Sequence, residues 1–371
     1  MILIKVLQYW TKSEEPVNFP EITINSIASK IILYVSSTSG KLGKCLFAFT
    51  MSLLSFRYLI RISYLSLDSV FKADFFAILF IFCKVCIFSL FYLKYNHNFA
   101  KKVQDLWYDL RIEHDYETRK YFWTRKVIYY SLQATCYAGY IIHDACLFYH
   151  IRPDADSERL QNVLYYWETV LEMPILYYYV ICHHFILLDL SVLAQTAIQY
   201  LETQSERIYK ESLKGRKVSN FKAIHDLRLK YLQTHLLVNK MNKLMSPGLF
   251  VYLVLPLDQF IKQVYSVLFV QQSQLLRIHR VIGCIAALIL AISIIHSTAQ
   301  VYLKSQALLM TVYKLSMKTD YSKVLNEITL FVNCDEIGFY FGGICTITYS
   351  TITTTFSLLA TLIISMPSFA G

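Results

Sequence analysis

The sequence is poor in residues that interrupt helices and lacks the common catalytic motifs. Glycine and proline number only 10 and 7 in 371 residues. There is no low-complexity linker and no internal repeat. No GxSxG, HExxH or phosphate-binding loop occurs, and no carboxylate pair stands in a defined cleft. These absences argue against an enzyme and against several separate domains, so we expect no cofactor and no catalytic residues.

The sequence also lacks a disulfide framework, a metal-binding pattern and Asn-x-Ser/Thr glycosylation acceptors. Its nine cysteines are scattered through apolar segments. Cys83 and Cys86 form a CxxC inside one such segment, where a core thiol pair is favoured over a zinc or redox site. His183 and His184 are adjacent and point in different directions on a helix, which makes a poor metal pair. No metal site is predicted.

Long apolar blocks are the dominant feature. Hydrophobic residues make up 55% of the chain, and the mean hydropathy is +0.39. A transmembrane helix needs roughly 20 mostly apolar residues to cross about 30 Å of hydrocarbon. The sequence therefore predicts an all-α membrane protein, a single seven-helix domain over residues 1–371. The candidate spans are 43–63, 70–94, 127–151, 163–194, 246–270, 281–303 and 337–369.

The net charge of +10 is unevenly distributed. The second-to-third and fourth-to-fifth loops, 94–126 and 207–230, each hold eight Lys or Arg. The alternate loops hold few. The positive-inside rule then places the N-terminus in the cytoplasm and, after seven crossings, the C-terminus outside. This distribution favours a membrane surface over nucleic acid as the partner of the basic residues.

Two inner segments keep a helical apolar pattern beyond membrane depth. Either they lie on the bilayer surface as amphipathic helices, or helices four to six extend into a cytoplasmic anchor bundle. The second interpretation is favoured because the apolar stripes continue directly from the spans. The stripes are Leu232, Leu236, Val238, Met241 and Leu244, extended back by Ile224, Leu227 and Tyr231, and, in the second segment, Leu308, Val312, Leu315, Val324 and Ile328.

Aromatic and ionisable residues crowd the outer halves of helices three and four, where a buried charge needs a partner, a cavity or water. One hypothesis is a ligand pocket open to the outside, with aromatic walls and a few orienting polar groups. The alternative is an aromatic belt at the headgroup level with wetted carboxylates. The candidate pocket residues are Tyr137, Tyr140, Asp144, Phe148, Trp167 and Glu172.

Three segments carry a resemblance to the insect gustatory receptor family, which is related to the insect odorant receptors. ILYYYVICHHFILLDLSVLAQTAIQYLE (175–202) is similar to that family's fourth helix with its cytoplasmic extension. HLLVNKMNKLMSPGLFVYLV (235–254) is similar to the start of its fifth helix, and EIGFYFGGICTITYSTITTTFSLLATLIISMPSF (336–369) to its last helix. The chain resembles a divergent member.

The family signature is Thr-Tyr, five hydrophobic residues and Gln-Phe near the C-terminus, and two registers compete for it. Thr348-Tyr349 with Phe356 keeps the tyrosine but has threonine in place of glutamine. The segment from Thr361 to Phe369 replaces tyrosine by leucine and glutamine by Ser368 but lies two residues from the end. The second register is favoured, also because its distance from Gly343 matches a glycine of the family's last helix.

The resemblance implies a ligand-gated, non-selective cation channel in the plasma membrane of sensory neurons that detects external tastants. It implies a homo- or hetero-tetramer of related receptor subunits, with the last helices around one pore and an outer pocket for a small-molecule tastant. On the favoured register Ser365, Ser368 and Phe369 would stand at the outer pore constriction. Ser365 and Pro367 depart from the family's hydrophobic run, which leaves the gating mechanism open.

Two other classes of membrane protein fit the sequence less well. A seven-helix receptor that signals through a G protein predicts an external N-terminus and a basic aromatic motif after helix three. The charge distribution opposes the first, and IRPDADSERL after helix three does not fit the second. A secondary transporter predicts paired broken helices in two related halves, whereas only Pro174 and the Gly342-Gly343 region suggest breaks.

Overall fold

The computed structural model shows that the described part of the chain is helical apart from loops and a short β-hairpin, which confirms the predicted helical class. It describes residues 19–23, 26–63, 86, 89–112, 115–150, 173–213, 221–269, 274–343 and 345–365. The helices are α1 (Ile27–Tyr34), α2 (Lys41–Ser63), α3 (His97–Asp109), α4 (Tyr116–His150), α5 (Met173–Leu213), α6 (Phe221–Phe269), α7 (Gln274–Ser316), α8 (Ser322–Val332) and α9 (Tyr349–Ser365). Residues 89–94 are also helical. The strands are β1 (Tyr340–Phe341) and β2 (Cys345–Thr346).

Short polar side chains begin several of these helices by accepting a hydrogen bond from a free backbone amide of the first turn. Ser26 accepts from the amide of Ser29 at 3.1 Å before α1. Asn96 accepts from the amide of Phe99 at 3.0 Å before α3, and Asp115 accepts from Thr118 at 2.9 Å before α4. These caps separate the helices even where glycine and proline are missing.

The long helices α5, α6 and α7 form the centre of the fold. Helix α7 packs against α4, α5 and α6. At 1.5 Å per residue the three central helices are about 60, 75 and 65 Å long, roughly twice the thickness of a bilayer's hydrocarbon core. Where α5 ends, α6 begins and α7 ends, they pack together with α8; we call this part the anchor bundle. Helices α5, α6 and α7 thus continue beyond the predicted fourth, fifth and sixth spans and pack together, while the role of this part as a cytoplasmic anchor stays a prediction.

The predicted stripes of the anchor bundle are mostly buried, with one error. Ile224, Tyr231, Met241, Leu308 and Val312 are among the members that are fully enclosed. Leu236, in contrast, is 57% exposed, and its neighbour Leu237 is fully buried instead. At 3.6 residues per turn, position 237 follows the buried positions of α6, whereas 236 falls on the opposite side of the helix.

Two described segments are long and apolar enough to cross a membrane. They are Tyr178–Ser212 and Arg277–Ser316, with mean hydropathies of 1.5 and 2.3 over their best windows. They overlap the predicted fourth and sixth spans. The predicted second span lies mostly outside the described residues, as do the first ten residues of the fourth. The number of seven crossings and their direction therefore stay predictions.

The predicted last span of 337–369 is not helical at its beginning, over residues 337–343 and 345–348. Strands β1 and β2 pair antiparallel there, with Tyr340 opposite Thr346 and Phe341 opposite Cys345. Gly342 and Gly343 make the turn with φ of 59° and 76°, a backbone conformation that glycine adopts without strain. Gly343 thus lies outside α9, and its distance to Ser368 is not measured along one helix.

Candidate functional site

The predicted ligand pocket is only partly within the described structure. Tyr137 is buried, and its hydroxyl forms a hydrogen bond with Nδ1 of His184 on α5; the two rings are 5.6 Å apart. Tyr140, Asp144 and Phe148 lie on α4 as expected, but their side chains are not described. Trp167 and Glu172 lie outside the described residues. The pocket therefore stays a prediction.

A row of polar side chains leads from this region along one face of α4. Lys126, Tyr130, Gln133 and Tyr137 are spaced by four, three and four residues, which places them within about 60° on a helix. Tyr140 and Asp144 continue the same register. The row faces α5, which contributes His184 and Asp189 to its contacts.

The ion pair of Lys126 and Asp189 joins α4 to α5. The ammonium nitrogen of Lys126 lies 2.9 Å from a carboxylate oxygen of Asp189, and the side chains are only 9% and 10% exposed. The hydroxyl of Tyr130 donates to the same carboxylate at 2.7 Å. A buried charge is tolerated when it is paired and hydrogen-bonded, and both conditions hold here.

Sequence reasoning missed Asp189, although a signal was present. It is the only acidic residue in the apolar run 173–201. An isolated ionisable group in such a run indicates a buried partner or a functional site. The sequence could not show that the partner is Lys126, which lies 63 positions earlier at the boundary of another predicted span.

A small cavity adjoins this ion pair. It measures about 20 Å³ and is also lined by Ser29, Tyr95 and Ile186. This is room for a single water molecule, and the hydroxyl of Tyr95 already donates to Ser29 at 2.6 Å. The cavity is far too small for a tastant, so it is not the predicted ligand pocket.

Gln133 is unusual among the buried side chains of α4. It is fully enclosed, and neither atom of its amide group has a hydrogen-bond partner among the described residues. An unpaired buried polar group costs roughly 1–3 kcal/mol. Gln133 lies one helical turn before Tyr137, on the face of α4 that carries the predicted pocket residues.

The hairpin that precedes α9 is fastened to the anchor bundle by side chains. The amide of Asn242 on α6 donates to the carbonyl of Gly338 at 2.9 Å and accepts from the backbone of Tyr340 at 3.0 Å. Ser305 on α7 accepts from the amide of Ile337 at 2.8 Å. Ile337, Phe339 and Ile347 are fully buried. The start of α9 is therefore fixed to α6 and α7.

Helix α8 is held to α6 by a buried carboxylate. Glu327 lies 2.5 Å from Nε of Arg228 and 3.0 Å from Nδ1 of His225. Burial alone would raise the pKa of Glu327, but the hydrogen bonds from Arg228 and His225 lower it below its ordinary value. The ionised form of Glu327 thus stabilises the junction that leads to the hairpin.

Of the predicted gate residues, only Ser365 lies within the described part of the structure. Ser365 is the last residue of α9, and its side chain is not described. Ser368 and Phe369 lie outside the described residues. The described part of α9 contacts α6 and α7, yet much of its surface is open; Leu358, for example, is 58% exposed.

Comparisons with known proteins find structures with a similar fold but no protein that matches in sequence. No known protein family and no curated protein matches the sequence. The insect olfactory receptor OR5 from Machilis hrabei matches with a TM-score of 0.62 at 11% identity, over 91% of this chain and 96% of that chain. The same receptor in complex with eugenol matches with a TM-score of 0.61 at 12% identity, over 99% and 97% of the two chains.

The likeness shows that the chain has the fold of an insect olfactory receptor over nearly its whole length. The protein with which it shares this fold is a receptor and not an enzyme, in agreement with the prediction from the missing catalytic motifs. At 11% identity the likeness concerns the fold. What the chain detects and how it assembles must be argued from its own residues.

Proposed function

We propose that the chain is a subunit of a ligand-gated, non-selective cation channel that detects external tastants in the plasma membrane of sensory neurons. The main observation in support of this proposal is the fold that 91% of the chain shares with an insect olfactory receptor. The gustatory role rests on the resemblance of residues 175–202, 235–254 and 336–369. Because the olfactory receptor was also solved with eugenol, a small organic ligand is proposed for this chain too.

The exposed surface of α7 supports a lipid environment. Ile278, Ile282, Ile285 and Ile292 are each 38% to 56% exposed. Their spacing of four, three and seven residues keeps them on one side of the helix. A continuous apolar stripe of this kind is rare on soluble monomers, whereas lipid tails would cover it.

The anchor bundle supports assembly with further subunits. Met310 and Tyr313 follow the predicted sixth span on α7 and are 60% and 48% exposed. Their spacing of three residues puts them on one face, and Met317, directly after the end of α7, is 69% exposed. Lipid tails do not reach this face if the bundle projects into the cytoplasm. A second copy of the chain or a related subunit is the partner that we propose for it, as part of a tetramer.

Helix α9 has a hydroxyl-rich face that suits a water-filled pore. Ser350, Thr354, Ser357 and Thr361 are all exposed and lie within about 60° of one another on a helix. In the sequence, Ser365 and Ser368 repeat the same spacing of four and three residues towards the proposed outer constriction. Hydroxyl groups lower the barrier for ions, while an apolar ring such as that of Phe369 gates by dewetting. We propose this face as the pore lining.

The proposal is tested by recording from cells that express the chain alone while sugars, alkaloids and amines are applied outside. A ligand-evoked cation current without G-protein activation is expected. In Ser357→Cys, a positively charged thiol reagent should reduce the current. Leu359→Cys, on the opposite side of α9, is the matched control, and the unmodified protein gives the baseline for native cysteines. An evoked current that requires a G protein would contradict the proposal.

A further inference from the structure

A series of polar contacts runs from α4 through α7 to the first residue of α9. The hydroxyl of Tyr129 on α4 lies 3.0 Å from Nδ1 of His296 on α7. One helical turn further on, Nε2 of Gln300 lies 3.3 Å from Nε2 of His296. The same amide nitrogen donates to the hydroxyl of Tyr349 at 2.6 Å. Tyr349 begins α9.

The donors and acceptors in this series of contacts are consistent with a single protonation state of His296. The amide nitrogen of Gln300 can only donate, so Nε2 of His296 accepts. Its Nδ1 then carries the proton and donates to the oxygen of Tyr129. The rings of His296 and Tyr349 also meet edge to face, with centroids 6.1 Å apart. Every contact therefore has a donor and an acceptor, and the series of contacts has no gap.

The two ends of this series of contacts belong to two parts of the molecule with different proposed roles. Tyr129 precedes Tyr137 by eight residues on α4, or about 12 Å along the helix. Tyr349 stands where the hairpin ends and the proposed pore helix starts. A displacement of α4 would therefore act on α9 through side chains of α7, apart from the hairpin contacts that tie α9 to α6.

We propose that the hydrogen bond between Gln300 and Tyr349 holds α9 in its resting position, and that His296 and Tyr129 connect this bond to the helix of the predicted ligand pocket. These four are positioning residues, since none of them has to touch a ligand or an ion. The inference rests on the proposed channel function. If the bond holds α9 in that position, its loss should favour opening without ligand.

The test measures thallium flux into vesicles that contain the full-length protein and no ligand. Gln300→Leu and Tyr349→Phe should each raise the flux about 5-fold, the factor that corresponds to one hydrogen bond of ordinary net strength. The double variant should exceed neither single variant by much, because both remove the same bond. Tyr129→Phe should act in the same direction and should not add to Tyr349→Phe.

A matched control exists within α3. Gln104 donates to the hydroxyl of Tyr108 at 3.3 Å, which is the same pair of groups inside a single helix. Tyr108→Phe should leave the flux unchanged. A purely structural role of Tyr349 would lower the unfolding temperature without changing the flux, so both are measured for each variant.

The outcomes separate this inference from the channel proposal. Flux that rises additively, falls or stays at the level of Tyr108→Phe would overturn the inference and leave the channel function intact. If neither the unmodified protein nor any variant passes thallium above empty vesicles, the channel function fails and the gating role of the bond fails with it. In that case non-additive unfolding temperatures of Gln300→Leu and Tyr349→Phe would still establish the contact.

Discussion

Breaking the ion pair between Lys126 and Asp189 should destabilise the protein more than any surface substitution. In Asp189→Asn, the ammonium group of Lys126 keeps its charge in a place where the side chain is only 9% exposed. Removing one partner of a buried pair leaves an uncompensated charge and costs about 3–5 kcal/mol. The hydroxyl of Tyr130 can still donate to the new amide oxygen, so the loss reflects the charge and not the hydrogen bond.

The paired substitution separates charge from packing. Lys126→Met together with Asp189→Leu replaces the ion pair by apolar side chains of similar length. Such replacements are commonly neutral or stabilising. The hydroxyl of Tyr130 then loses its acceptor, so the double variant should unfold at a temperature somewhat below that of the unmodified protein and well above that of Asp189→Asn. Thermal unfolding of detergent-solubilised protein, followed by the loss of the monodisperse chromatographic peak, measures this order.

An exposed ion pair provides the matched control. Arg207 lies 3.3 Å from Asp115, with side chains 51% and 27% exposed. Exposed pairs contribute only about 0–1 kcal/mol, so Asp115→Asn should have a small effect. If Asp189→Asn is no more harmful than Asp115→Asn, or if the double variant at 126 and 189 is as unstable as the single one, the argument for a buried, paired charge is refuted.

Three further predictions concern the polar groups of α4 and the anchor bundle. Gln133→Met should raise the free energy of unfolding by up to about 1–3 kcal/mol, because it removes an unpaired amide; a lower unfolding temperature would show that Gln133 has a structural partner. Because the folded pKa of Glu327 is lowered, its contribution is present above the unfolded value of about 4.3 and is lost as the pH falls through the folded value. Glu327→Gln should abolish that part of the acid sensitivity in pH-dependent unfolding, and an unchanged profile would contradict it. Asn242→Ala loses two hydrogen bonds to the hairpin and should lower the unfolding free energy by about 1–3 kcal/mol, with exposed Asn239→Ala as a control of near-zero effect.

The sequence predicted the long helices because their apolar period continues without a break. Residues 195–245 and 301–328 keep the helical pattern past membrane depth, and the structure places most of those positions in the anchor bundle. The error at Leu236 arose because two neighbouring leucines both satisfied a spacing near three or four. Only the angle around the helix distinguishes Leu236 from Leu237, and that angle is fixed by where α7 and α8 pack.

Neither the hairpin nor the polar contacts could be predicted from the sequence, and the physical reasons differ. Residues 337–369 contain no charged residue, so the distribution of charge does not separate a hairpin from a helix there. The two adjacent glycines were the available sign, because a turn with positive φ favours glycine. The pairing of Lys126 with Asp189 and of Gln300 with Tyr349 joins residues distant in sequence, and periodicity carries no information about which helix faces which.

The attachment of α9 has a consequence for how such a channel could open. Its start is fixed to the anchor bundle through the hairpin and through Gln300, whereas Ser357, Leu358 and Thr361 have exposed surfaces within the subunit. A helix held at one end moves most at the other end. If copies of α9 surround a pore, the exposed part of α9 around Ser357 and Thr361 therefore moves with less loss of contacts inside each subunit than the start of the helix. The bond at Tyr349 then sets the resting angle of the helix, and the hydroxyl face beyond it follows that angle.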